Sequence, residues 1–176
     1  VPGLLTSAYL TLQLYLGLPH GNFQAVVVPF DKIQDEISAG RVDAGLLIHE
    51  CQLTYAEEGF TLCEDLGQWW AKETGGLPLP LGGNVVRRAL GAEVIAAVTE
   101  TLRESVRNGL EHRQAGVRHA LPLSRGMDET RTDKFIGMYV NELTLDFGPR
   151  GLAGLKEFYG RSRAQGLIAT SPLDQP

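Results

Sequence analysis

Apolar and polar positions change period several times along the chain, and each change marks an element. Near the start, Leu10, Leu14 and Leu18, with Tyr15, recur at helical spacing, and Gly17 offers a helix stop. Gln24 to Val28 is β-branched and apolar, the composition of a strand. Asp31 stands where it can cap a second helix, with Ile33 and Ile37 on one face and Gly40 after its end. Val42 to Ile48 is a short apolar run of the kind that fills a buried strand. Helix, strand, helix, strand in this order implies a parallel sheet joined by crossover helices.

Phe60 to Leu62 is a further short strand candidate. Asp65 to Thr74 follows as a helix carrying Trp69 and Trp70, one ring in the core and the other partly exposed, closed by Gly75 and Gly76. In Leu77-Pro78-Leu79-Pro80-Leu81-Gly82-Gly83, prolines at alternate positions deny the backbone both helix and central-strand pairing. The piece reads as a stiff crossover between lobes, with Asn84 to Arg88 as a strand beyond it. After Gly91 the character turns helical. Val94, Ala97, Val98, Thr101, Leu102, Ser105 and Val106 form one amphipathic face. Arg113 to Arg125 is less regular, Asp128 to Leu143 is a second helix, and Pro149 to Gln165 is a third, stopped by Gly166. The Pro-containing last ten residues read as a tail.

The 176 residues suffice for one ordinary domain or two small lobes. A net charge of −5, with no surface concentrating Lys and Arg, argues against a nucleic-acid partner. No apolar run reaches the roughly 20 residues a membrane span needs. Cys51 and Cys63 form no metal-binding spacing and read as two isolated thiols, with a disulfide between them left open.

Two places could carry chemistry. His49 follows the Val42–Ile48 run, and the residue just past a buried strand of an open α/β sheet is where a polar group meets a ligand. A histidine there exchanges protons near neutral pH, although the same position also suits a structural hydrogen bonder. The turn Gly3-Leu4-Leu5-Thr6-Ser7-Ala8 enters a helix directly after a strand stub. Its backbone N–H groups and adjacent hydroxyls suit a carboxylate or phosphate; plain helix capping by Thr6 is the alternative. In an α/β lobe both places face the C-terminal edge of the sheet, so an anion holder and a base would share one crevice. Glu50 is read as holding local backbone, Asp43 and Asp65 as turn or cap residues, and Arg87-Arg88 as a solvated face. His20, His112 and His119 are assigned no role.

Taken together, Gly3-x-x-Thr6-Ser7-Ala8-Tyr9, Gly45-Leu46-Leu47-Ile48-His49-Glu50, Asp65-Leu66-Gly67-x-Trp69-Trp70, Leu77-Pro78-Leu79-Pro80-Leu81-Gly82 and Tyr139-Val140-Asn141 resemble one family. It is the 1,4-dihydroxy-6-naphthoate synthases of the futalosine route to menaquinone, matched in order and spacing from residue 1 to about residue 148. The resemblance implies an α/β, periplasmic-binding-protein-like (type II) two-lobed fold, used as an enzyme in the cytoplasm. It implies a lyase that converts cyclic dehypoxanthine futalosine to 1,4-dihydroxy-6-naphthoate without metal or organic cofactor. The family's catalytic histidine falls on His49, as general base, and its ligand-holding turn on Thr6, Ser7 and Ala8. The partner is a small-molecule carboxylate substrate, with neither nucleic acid nor membrane.

Two departures stand out. Leu4 and Leu5 occupy places where polar residues are expected between Gly3 and Thr6. The family also carries further residues before the point matching Val1, so part of one lobe is expected to be absent here. A separate N-terminal segment of the same enzyme is then a possible partner. Residues 1–80 would form the α/β lobe with the catalytic strand end, and 81–176 the crossover strand and helical part of the other lobe. The rival readings are the chorismate dehydratase of the same pathway and a non-catalytic solute-binding protein.

Overall fold

A computed structural model describes residues 1–17, 23–124 and 126–174. The helical position Leu18, the histidine His20 and the end of the irregular stretch at Arg125 lie outside the described residues. The chain divides into two compact units: Val1–Leu81 with Pro149–Pro176, and Gly82–Gly148.

In the first unit, α1 (Ser7–Leu16) begins where the Thr6 hydroxyl accepts the Tyr9 N–H at 3.1 Å. It stops at Gly17, whose φ of 62° only a residue tolerant of left-handed backbone takes readily. α2 (Ile33–Ser38) is entered through a 3₁₀ turn at Phe30–Lys32. Asp31 therefore sits inside that turn and is not the cap expected of it; Lys32 holds the cap position and makes no side-chain cap bond. The expected apolar face of α2 is real. A Cβ at Gly45 would lie 2.5 Å from Ile33 Cγ2 and 2.7 Å from Ile37 Cδ1, so the 42–48 run crosses α2 at backbone contact. A short α3 (Cys51–Thr54) follows, then α4 (Leu66–Glu73), capped by Asp65, which accepts from the Gly67 and Gln68 N–H groups.

α9 (Gly148–Ala164) closes this unit. Phe158 meets the fully buried Trp70 edge-on at 5.6 Å, and Leu14 completes the cluster, with Leu10, Trp69, Leu79 and Leu167 around it. Arg150 and Arg161 of α9 donate to the carbonyls of Gly76 and Glu73 at the end of α4. Residues 149–176, grouped with the second part of the chain on sequence grounds, thus belong with the first unit. Aromatic burial against Trp70 decides this, and it acts between residues far apart in sequence.

The second unit runs from the 3₁₀ turn Arg88–Leu90 into α5 (Ala92–Glu111), α6 (Arg113–Ala120), α7 (Glu129–Tyr139) and α8 (Glu142–Leu145). Arg113 bridges α6 to α7, giving Nε to the Asp133 carboxylate at 2.6 Å and Nη2 to the Asp133 carbonyl at 2.7 Å. The single helix expected over Asp128–Leu143 is two. Asn141 breaks it by accepting the Leu143 N–H and donating to the Gly137 carbonyl, while Thr144 completes a capping box. Val94, Val98 and Leu102 of α5, one turn apart, lie on an exposed stripe.

The helices expected from α/β periodicity are present, whereas the sheet is not: among the described residues no strand forms. A strand requires a neighbour to complete its ladder. The Val26–Val28 run finds a single rung. The Val1 N–H donates to Val26 O at 2.8 Å and Val28 N–H to Val1 O at 3.0 Å, the bonding pattern of a parallel pair. Val42–Ile48, Phe60–Leu62 and Asn84–Arg88 are not strands either. The two cysteines are free thiols, Cys51 buried and Cys63 exposed. Among the described residues no helix is long and apolar enough to cross a membrane.

Candidate active site around His49 and the start of α1

The parallel rung has a geometric consequence. Two chains that pair in parallel leave the rung on the same side, so 2–7 and 28–30 exit together. One exit leads to the start of α1, the other through Pro29 to Phe30. The Phe30 ring lies 4.4 Å from the His49 ring, centroid to centroid, at an interplanar angle of 43°. Phe30 thus links the end of the Val26–Val28 run to His49.

His49 is half-buried and has φ of 59°, alone among the described non-glycine residues in the left-handed region. Histidine tolerates that region better than most residues, at a cost that surrounding contacts must hold. Gln52 supplies one such contact, donating both its backbone N–H and its side-chain Nε2 to the His49 carbonyl at 3.3 and 3.2 Å. The reversal ends the 42–48 run and turns the chain at once into α3. Glu50 is the residue preceding α3; its carbonyl accepts the Leu53 N–H, and its side chain makes no cap bond to the helix.

Both hydroxyl protons of the α1 turn are committed within the chain. Thr6 Oγ1 donates to the Gly3 carbonyl at 2.8 Å while capping Tyr9, and Ser7 Oγ donates to the Leu81 carbonyl at 2.6 Å. A hydroxyl has one proton to give. The donors the turn can offer an anion are therefore the backbone N–H groups of Ser7 and Ala8, which open the helix and have no carbonyl one turn earlier to bind. Leu5 beside them is fully exposed.

Trp70 is core and Trp69 half-buried, its ring against Tyr15. Arg87 and Arg88 are exposed, as are His112 and His119, and the His112 ring contacts the Asn108 carbonyl. Among the described residues no group of three or more His, Cys, Asp or Glu side chains is gathered as metal ligands would be. The residue that sequence reasoning passed over is Phe30. Its signal was available: Phe30 stands two places beyond the Val26–Val28 run, much as His49 stands just beyond Ile48.

A family model described as menaquinone biosynthesis matches residues 1–164, and the chain belongs to that family. Among its relatives, the 1,4-dihydroxy-6-naphthoate synthase of Streptomyces coelicolor is 37% identical over 170 residues, covering 96% of this chain and 60% of the relative. The protein of the same name from Thermus thermophilus is 37% identical over 172 residues, 98% of this chain and 61% of the relative. A crystal structure of an Archaeoglobus fulgidus protein is similar at a TM-score of 0.86 and 40% identity, covering 95% of this chain and 61% of that one. The chain thus spans about three-fifths of the length of the curated relatives it matches.

Proposed function

We propose that this chain is part of a cytoplasmic 1,4-dihydroxy-6-naphthoate synthase, converting cyclic dehypoxanthine futalosine to 1,4-dihydroxy-6-naphthoate in menaquinone biosynthesis. The observation that carries the reading is the family match over residues 1–164, together with two relatives of that name at 37% identity; we place His49 and the α1 N-terminus in one crevice. There an anchored carboxylate substrate would meet a base. The names of the two relatives support the synthase over the chorismate dehydratase and over a solute-binding protein.

In the mechanism the Ser7 and Ala8 N–H groups and the dipole of α1 hold the substrate carboxylate, with Thr6 fixing their direction as cap. His49 removes a proton from the bound substrate. The dihydroxyacetone fragment then departs and the ring gains aromaticity. Holding substrate and base in one orientation supplies much of the acceleration. No metal or organic cofactor enters these steps. The architecture we propose is the two-lobed periplasmic-binding-protein-like fold. The first unit supplies one wall of the cleft, and polypeptide equivalent to the unmatched two-fifths of the relatives supplies the other.

The test is product formation from cyclic dehypoxanthine futalosine by the 176-residue chain, alone and mixed with the part of the Streptomyces coelicolor relative that it does not match. The chain alone is expected to be silent and the mixture active. His49→Asn is expected to lower that activity by at least about a hundredfold, the scale of general-base catalysis. Near-normal turnover by a folded His49→Asn variant would remove histidine from the mechanism.

A further inference from the structure

We infer that Gly45 is a positioning residue for His49: the lack of a side chain there lets the 42–48 run settle onto α2, and the depth of that seating sets where His49 stands. This rests on the reading of His49 as the base. In a sheet, a ladder of backbone hydrogen bonds would fix the place of such a run. Among the described residues the run belongs to no strand, so its place depends on what it packs against. At Gly45 it packs at backbone distance. A Cβ there would lie 2.5 Å from Ile33 Cγ2 and 2.7 Å from Ile37 Cδ1, nearer than real Cβ atoms come to their neighbours.

The backbone at Gly45 does not itself require glycine, since its φ lies outside the left-handed region. The space does. Ile37 Cδ1 ends a half-buried, flexible side chain and can swing aside. Ile33 cannot. It is buried, its Cγ2 sits on a stiff β-branched torsion, and it opens α2 directly after the 3₁₀ turn that the Lys32 N–H closes on the Pro29 carbonyl at 2.8 Å. A methyl at position 45 therefore displaces the run rather than the helix. The same run ends at His49, whose ring centroid lies 4.4 Å from that of Phe30 in that 3₁₀ turn. α2 and its entry turn thus meet the run at two points, Gly45 and His49, and lifting the first moves the second. Misplacing a catalytic group by about 1 Å costs up to about a hundredfold in rate, even when the cause lies away from the chemistry.

The test is turnover in the naphthoate-forming mixture, below the melting temperature of every variant compared. Gly45→Ala should lower kcat by roughly tenfold to a hundredfold with little change in KM, because the groups that hold the carboxylate are untouched. Ile33→Ala removes the methyl that a Cβ at position 45 would meet. Added to Gly45→Ala, it should recover most of the lost kcat, a coupling that independent sites do not show. Gly160→Ala, where nothing lies within 4 Å of the new Cβ, should keep the parent kcat. If Gly45→Ala melts below the assay temperature, Ile37→Phe takes its place, crowding the same contact from α2. Unchanged kcat in folded Gly45→Ala, where His49→Asn abolishes turnover, overturns the positioning role and leaves the base standing. A loss of kcat that Ile33→Ala fails to relieve overturns it too, since crowding would then not be the cause. Full turnover by His49→Asn, or a mixture that forms no product, overturns the reading on which the role rests, and the role with it.

Discussion

The carbonyl oxygen of Pro78 lies 2.5 Å from where a Cβ on residue 154 would stand, so α9 can rest on the Leu77–Leu81 segment only because that residue is Gly154. The close approach brings Phe158, one turn further on, against Trp70. A helix late in the chain is thereby locked to the unit that carries His49.

Gly154→Ala is expected to destabilise the fold by about 1–3 kcal/mol, the range for forcing atoms into a packed contact whose neighbour is backbone and cannot swing away. Gly160→Ala on the same helix is the control. Nothing lies within 4 Å of a Cβ there, so alanine should be neutral or stabilise by up to about 1 kcal/mol through helix propensity. Denaturant melts of the two variants check both signs.

Substitutions at Ser7 separate hydroxyl from amide in anion binding. Ser7→Ala removes the bond to Leu81 and keeps the backbone N–H; Ser7→Pro removes both. Proline is well accommodated at the first helical position, and Thr6 already has the extended backbone (φ −101°, ψ 148°) that a following proline demands. The expected result is unchanged affinity for succinate or substrate in Ser7→Ala and about a tenfold loss in Ser7→Pro, the scale of one hydrogen bond to a charged group. Calorimetric titration decides it, and equal losses in both variants would place the contact at the hydroxyl.

The backbone of His49 dictates which replacements are informative. Asparagine tolerates the left-handed region, whereas a β-branched residue pays roughly 1–2 kcal/mol there. His49→Val is therefore expected to melt well below His49→Asn, although both lose the imidazole. Equal melting temperatures would show that the turn relaxes when the ring is removed.

Glu36 accepts two hydrogen bonds from Arg41, at 2.6 and 2.7 Å, and that bonding holds its carboxyl below the usual glutamate range. A carboxyl depressed in the folded state adds stability above its ordinary range, and that stability fades as the pH falls through the folded-state value. Glu36→Gln should thus melt slightly below the parent protein at neutral pH, with the gap closing in acid. Because the pair is exposed, added salt should narrow the neutral-pH gap as well. Thermal melts across pH and ionic strength test this.

Local chemistry was legible in the sequence wherever one residue acts on its immediate neighbours. Thr6 and Asp65 cap the helices that follow them, and Gly17, Gly40 and Gly166 take positive φ just beyond helix ends, because these effects span four or five residues. Periodicity failed at Asn141, where a side chain able to cap outweighed an apolar pattern that ran straight across it. It failed again at Asp31, where a 3₁₀ turn put the charge one place too early to cap.

The sequence by itself determined most of the helices, their stops, the irregular proline-bearing stretch after Gly76 and the family, since each is written in adjacent residues or in motifs of fixed spacing. Tertiary structure alone decided three things. It assigned α9 to the first unit through Gly154 and Trp70, committed the Thr6 and Ser7 hydroxyls to Gly3 and Leu81, and set Phe30 against His49. None of the apolar runs became a strand among the described residues: Val26–Val28 met one rung and Val42–Ile48 lay across α2. A capping residue needs only the next turn of chain. A strand, a core or an active site needs a partner that folding brings from elsewhere.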